Sequence, residues 1–240
     1  METNMKRDME NRIESDFQLF CREAGSGRPL VLLHGNGESS EYFAAQIEYF
    51  AGEYHVLAVD TRGHGHSPRG EAPFTLGQFA DDLAAFLDAR GLSEINLLGF
   101  SDGGNIAILF ALKYPGRVRR LVLNGANIHP CGMKPAVLGQ VLLEYAMACP
   151  AAVFDRRAAA KAELLGLMVH QPHIAPAELA RLDMPVLVIV GERDMISDRH
   201  SQLICDSLPQ GEIVRLPGDH FVAAGNPEAF NAAVGEFLRR

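Results

Sequence analysis

The chain has 240 residues, 48% of them hydrophobic and 22% charged, with 22 Lys and Arg against 30 Asp and Glu for a net charge of −8. That length and balance suit one soluble α/β domain with a sizeable core. The acidic charge offers no footprint for nucleic acid or an anionic membrane surface, so a small molecule is the expected partner, and a homo-oligomer is left open.

Met1 to Arg12 is charged and lacks the apolar core of a signal peptide, and no run of 18 uninterrupted apolar residues occurs. A cytoplasmic protein that tolerates clipping of its first dozen residues is expected. Cys21, Cys131, Cys149 and Cys205 show neither close pairing nor Cys-x-x-Cys spacing. They read as small buried hydrophobes rather than as a disulfide framework or a zinc site.

Five apolar runs of strand length follow: Leu30 to Leu33, Val56 to Val59, Ile95 to Phe100, Leu121 to Leu123 and Val186 to Val190. Continuous runs separated by helical patterns predict a parallel sheet with helices on both faces. Ile13 to Cys21 and Glu212 to Leu216 alternate more and are expected at its edges. Between the strands, Phe43, Ile47 and Phe50 form a stripe after Ser39 and Ser40. Thr75 with Gln78 forms a capping-box pattern ahead of Phe79, Leu83, Phe86 and Leu87, and Gly91 stops that helix. Asn226 and Pro227 read as a cap and a first-turn proline before Phe230, Val234, Phe237 and Leu238.

About 55 residues separate the strand ending near Asn124 from the one opening at Pro185, more than a crossover helix needs. A helical lid is therefore expected at 127–182, with the core formed by 1–126 and 183–240. Its apolar stripes are Val137, Val141, Leu142 and Tyr145, then Leu164, Leu165 and Met168. Prolines 135, 150, 172 and 176 punctuate it, and Met133 and Met168 are candidate substrate contacts.

Gly99-Phe100-Ser101-Asp102-Gly103 joins an apolar strand to a helical pattern. A turn that sharp strains its central residue and leaves no room for side chains two positions away, which is why glycine stands there. Ser101 is thus a candidate nucleophile. A serine hydroxyl needs a base, and the base needs an acidic partner to fix its tautomer. Asp194, just beyond Val186 to Val190, and His220, after the last strand, supply these in the order Ser, Asp, His at the sheet edge where open α/β folds place their sites. Asp198 and Glu192 are rivals for the acidic role, but Asp194 is the one closest to the strand end that also follows a turn. The N–H groups of Asp102 and of Asn36, in His34-Gly35-Asn36-Gly37, are candidate oxyanion donors.

His34 reads as a loop-fixing residue. His64 and His66 lack further ligands and read as loop framework rather than a metal site, while His129, His170 and His173 read as pocket or surface residues.

These motifs, with Asp60-x-Arg62-Gly63-His64-Gly65, Gly191-x-x-Asp194 and His220-Phe221, resemble the α/β-hydrolase superfamily, of the lid-bearing serine esterase and cofactor-free haloperoxidase-like type. The resemblance runs from about His34 to the end. It implies an α/β-hydrolase fold with a mostly parallel sheet and a small helical lid, and a hydrolase that needs no cofactor and no metal. Asp102 departs from the methionine often found after the nucleophile. Its carboxylate favours the helix N-terminus, and the same Gly-x-Ser-Asp-Gly-Gly string resembles the amino-acid-ester hydrolases of the biphenyl-hydrolase-like group, which implies a substrate amine. The expectation is hydrolysis of small to medium acyl or aromatic carboxylic esters. Amino-acid ester or amide, thioester and carbon–carbon bond cleavage are the alternatives, and a non-catalytic ligand receptor is the reading from a different class.

Overall fold

A computed structural model describes residues 18–240. Seven strands form one sheet: β1 (Cys21–Ala24), β2 (Arg28–Leu33), β3 (Tyr54–Val59), β4 (Ile95–Phe100), β5 (Val118–Asn124), β6 (Val186–Arg193) and β7 (Gly211–Asp219). Their order is β1-β3-β2-β4-β5-β6-β7, parallel throughout except for the β1–β3 pair. The expected edge segment near Ile13 lies outside the described residues except at its end, and β1 begins at Cys21.

Side chains alternate across a strand, so each apolar run feeds both faces. Val31 and Leu33, Leu57 and Val59, Leu121 and Leu123, and Val186 and Val188 pack on one face against α2 (Leu76–Ala89) and α3 (Asp102–Lys113). Leu30 and Leu32, Val56 and Ala58, Leu98 and Phe100, and Leu187 and Ile189 pack on the other, against α1 (Ala44–Phe50) and the C-terminal helix. Both layers exclude water almost completely, and each fully buried Leu, Ile, Val or Phe contributes on the order of 1.5–3 kcal/mol.

Local signals act largely as their chemistry predicts. Thr75 Oγ1 accepts the Gln78 N–H at 3.1 Å, but the reciprocal half of the capping box is missing. The Gln78 amide instead donates to Asp82 Oδ1 at 3.0 Å, and Asp82 in turn holds Arg62 through two bonds of 2.6 and 2.7 Å. Gly91, at φ 67°, ends α2. Asn226 is not a side-chain cap: its amide donates to the Pro217 carbonyl at 3.0 Å. Pro227 nevertheless opens the last helix at its first position, where no N–H is missed. Of the four thiols only Cys205 is buried; Cys131 is exposed, because the short 3₁₀ turn Pro130–Gly132 turns it outward.

Between β5 and β6 the chain builds α4 (Pro135–Ala151), α5 (Arg156–His170) and the single turn α6 (Pro176–Leu179). α7 (Asp198–Asp206), α8 (Val222–Gly225) and α9 (Pro227–Arg239) complete the fold. α4 and α5 pack on each other and bury few residues, chiefly Val141, Ala148 and Leu167. Leu142, expected on the inner stripe, faces solvent together with Leu143, Met147, Val153 and Phe154. No described helix is long and apolar enough to cross a membrane.

Candidate active site at the strand ends

β4 runs into α3 through Ser101, whose φ of 53° and ψ of −120° make it the one positive-φ residue other than glycine among the described residues. Such a backbone costs on the order of 1–3 kcal/mol and persists only where its surroundings dictate it. Here the Ser101 N–H donates to the Asn124 carbonyl at 2.8 Å, and its carbonyl accepts from Gly104 and Asn105 at 2.9 and 3.1 Å. A Cβ at Gly99 would strike the Gly103 carbonyl, and one at Gly103 would strike the Leu33 carbonyl. The glycines therefore let strand, turn and helix close on one another.

Asp194 directly follows β6 and His220 directly follows β7. Adjacent parallel strands bring both to the end of the sheet where Ser101 lies. His220 Nδ1–H donates to Asp194 Oδ1 at 2.7 Å, which leaves Nε2 to accept the Ser101 hydroxyl at 3.0 Å. The Asp194 carboxylate is itself aimed by the N–H groups of Ile196 at 2.9 Å and Gly191 at 3.4 Å. His220 lies against the Phe100 ring, 4.9 Å between centroids, and a Cβ at Gly125 would come within 2.7 Å of its Cε1. Asp194 and His220 are 3% and 5% exposed, so the imidazole is held from every side. The rivals do not reach it: Glu192 is exposed, and Asp198 faces Arg215 at the surface.

The backbone N–H groups of Asn36 and Asp102, the expected oxyanion donors, meet no acceptor among the described residues. Asp102 stands at the first position of α3, where a helix leaves its N–H groups free. His34 fixes the other loop. Its Nδ1–H donates to the Gly35 carbonyl at 2.8 Å and its Nε2 accepts the Thr61 N–H at 3.0 Å. Burial, reinforced by neighbouring His64, lowers its pKa to about 4, so it remains the neutral imidazole this pattern needs.

The Asn36 side chain does more than its place in the motif foretold. Its Nδ2 donates both to Asp102 Oδ2 at 2.8 Å and to the Leu164 carbonyl of α5 at 2.9 Å. Asp102 Oδ1 accepts from Asn105 Nδ2 at 3.1 Å, and Asn105 Oδ1 accepts the Asn127 N–H at 2.9 Å. Desolvation raises the Asp102 pKa above the ordinary carboxylate value despite these donors. Ser101, Asp102 and Asn127 line a cavity with the expected Met133 and Met168 and with Met195 and Ile196. Its volume is about 10 Å³, room for roughly one water molecule. Neither of two larger grooves is lined by the serine: one of about 470 Å³ is lined by His129, Cys131, His173 and His200, and one of about 960 Å³ lies against α2 at Asp81, Asp82 and Phe86.

Asn105, Asn127, Met195 and Gly125 escaped the sequence reading. Only Asn105 carried a signal, standing three residues after Asp102 on the same helix face. His64 is buried and hydrogen-bonded to the Arg62 carbonyl through Nδ1 at 3.0 Å, whereas the side chain of His66 is exposed. Asp60 ties the same loop by accepting the Ser40 and His66 N–H groups at 2.6 and 2.8 Å. Among the described residues no group of three or more His, Cys, Asp or Glu side chains is placed to hold a metal ion.

The family model of the alpha/beta hydrolase fold matches residues 28–169. The chain belongs to this family. Solved structures similar to it include a thermophilic esterase from Thermogutta terrifontis, 26% identical with a TM-score of 0.78 and 93% of each chain covered. The 3-oxoadipate enol-lactonase 2 of Acinetobacter baylyi is 25% identical over 88% of both chains. The (E)-2-((N-methylformamido)methylene)succinate hydrolase of the same organism is 38% identical over 117 residues, a match spanning 48% of this chain and 44% of that relative's length. An α/β-hydrolase enzyme is thereby identified.

Proposed function

We propose that this α/β-hydrolase is a serine esterase that cleaves carboxylic esters of small to medium acyl or aromatic groups through an acyl-enzyme. The reading rests on one observation, the unbroken chain from the Ser101 hydroxyl through His220 to Asp194, with 3.0 and 2.7 Å links, on a strained turn. His220 Nε2 takes the Ser101 proton as Oγ attacks the acyl carbon. The Asn36 and Asp102 N–H groups stabilise the oxyanion, and His220 returns the proton to the departing alcohol. Water, deprotonated by the same imidazole, then adds to the acyl carbon, and Ser101 leaves as its hydroxyl while the acid is released. The segment 127–182 acts as a lid, with Met133 and Met168 contacting the acyl group. A small-molecule ester is the partner and the cytoplasm the setting, in keeping with a soluble acidic chain and four free thiols.

Asp102 favours a second reading within the same chemistry. Its carboxylate is 7% exposed, meets only amide donors and faces the cavity at Ser101. A buried charge without a counterion gains from a cationic ligand, which suits an amino-acid ester or amide. The measurement that tests the main reading is turnover of p-nitrophenyl acetate and butyrate by Ser101→Ala, expected to fall by about 10⁴-fold or more. Turnover near wild type would remove it. Labelling by a fluorophosphonate probe separates enzyme from receptor: failure of Ser101 to react while a ligand still raises the melting temperature would favour a binding role.

A further inference from the structure

We propose that Asp102 is a positioning residue for the oxyanion donor on Asn36, acting through the Asn36 side chain. The inference rests on the serine-hydrolase reading above and deepens it. Asn36 stands between Gly35 and Gly37, the latter at φ 73°, in a stretch that glycine makes pliable. An oxyanion donor is effective only if its N–H is aimed before the reaction begins, because reorienting it during the reaction costs the energy it should contribute. His34 and Glu38 hold Gly35 on one side, and the Asn36 side chain can supply a second hold on the residue itself. The described contacts of its amide are two, the Asp102 carboxylate at 2.8 Å and the Leu164 carbonyl of α5 at 2.9 Å.

These two holds differ in kind. Leu164 belongs to α5, which lines the cavity of about 10 Å³ through Met168, and on this proposal that bond breaks as α5 moves to admit an ester. Asp102 belongs to the first turn of α3, which is fixed to the core by the bonds between Asn105 and Asn127 and by the nucleophile's own turn. With α5 displaced, Asp102 alone keeps the Asn36 amide in place. A charged acceptor makes that bond shorter and stronger than a neutral one. One residue thereby governs both donors: its own N–H supplies one, and its carboxylate sets the other. A carboxylate beside a developing negative charge opposes it, so its presence here calls for a compensating role, and the hold on Asn36 supplies one.

Substitution can separate this from the amine reading because Asn36→Ala and Asp102→Ala both leave the two backbone N–H groups in the chain. Kinetics of the full-length protein with p-nitrophenyl acetate, an ester without an amine, should show each variant losing about 10- to 100-fold, mostly in kcat rather than KM. The double variant should be no worse than the poorer single one. Asp102→Asn keeps an acceptor oxygen and should regain at least about tenfold over Asp102→Ala. Active-site titration with diethyl p-nitrophenyl phosphate counts competent molecules, so a variant that merely folds poorly is corrected for rather than misread.

Multiplicative losses in the double variant, or wild-type kcat for Asn36→Ala, overturn the proposal. So does a loss in Asp102→Ala confined to alanine esters, which assigns the carboxylate to a substrate amine instead. If Ser101→Ala retains turnover, the hydrolase reading fails and takes this one with it. If Ser101→Ala is inactive and the two losses multiply, positioning alone fails.

Discussion

The strand ends that carry Ser101, Asp194 and His220 and the α4–α5 segment above them are held by different means. At the strand ends the parts are fixed by backbone: parallel pairing of β4, β5, β6 and β7, a serine turn closed by glycines, and carbonyls so close that a methyl group cannot enter. The α4–α5 segment is tied to the core through individual bonds, from Leu164 to Asn36, from Glu163 to Arg69 and from Gln171 to the Leu76 N–H. Its outer face leaves Leu143 and Met147 62% and 68% exposed and Phe154, at the turn, 92%. The difference teaches that the geometry at Ser101 and the segment above it are set by separate interactions, so a change in one need not disturb the other.

The sharpest way to break this contrast is one substitution made in both regions. Gly103→Ala drives a methyl group into the Leu33 carbonyl and should destabilise the protein by about 3–5 kcal/mol, lowering Tm by roughly 10 °C. Gly139→Ala, on the exposed side of α4 with nothing within 4 Å of its new methyl group, should stabilise by up to about 1 kcal/mol. Thermal unfolding of the two variants beside wild type decides the matter, and equal signs would end the distinction.

Acid sharpens it further, because the strand-end region depends on a neutral His34. The unfolded chain binds a proton at the ordinary value of 6.5, whereas folded His34 refuses it down to about 4. Stability is therefore intact above pH 6.5 and falls as pH drops towards 4, by about 3 kcal/mol from this group. His64, lowered by burial, adds to the same slope. Urea unfolding between pH 7 and 4.5 should show that His34→Gln has a shallower acid loss than wild type; identical slopes would contradict the assignment.

The smallest effect belongs to the tie across the insertion. Arg69 and Glu163 form two bonds of 2.6 and 3.1 Å, but both side chains are more than a third exposed. Arg69→Ala should cost less than about 1 kcal/mol in global stability. It should speed amide hydrogen exchange in α5 by up to about fivefold while leaving exchange in β4 unchanged. Acceleration in β4 as well would mean that the two regions open together.

The same contrast explains what the sequence made legible. The strands, the serine turn, and Asp194 and His220 could be read because continuous apolar runs, glycines at fixed offsets and strand ends are local signals with backbone causes. The Asn36–Asp102 bond joins residues 66 apart and leaves no periodic trace. The outward turn of Leu142 depended on how α4 packs on α5, which a stripe of apolar residues does not specify. Asn226 carried a cap signal, but its side chain makes no cap bond and instead donates its Nδ2–H to the Pro217 carbonyl, a tertiary contact overriding a local preference.

The cavity of about 10 Å³ beside Ser101 has a thermodynamic consequence for anything that binds there. With the insertion acting as the proposed lid, ligands occupy only the fraction of molecules in which it stands open, and the measured dissociation constant is the intrinsic one divided by that fraction. Substitutions that loosen α5 should then tighten chemically unrelated inhibitors by one common factor, whereas substitutions in the serine pocket should change their ranking.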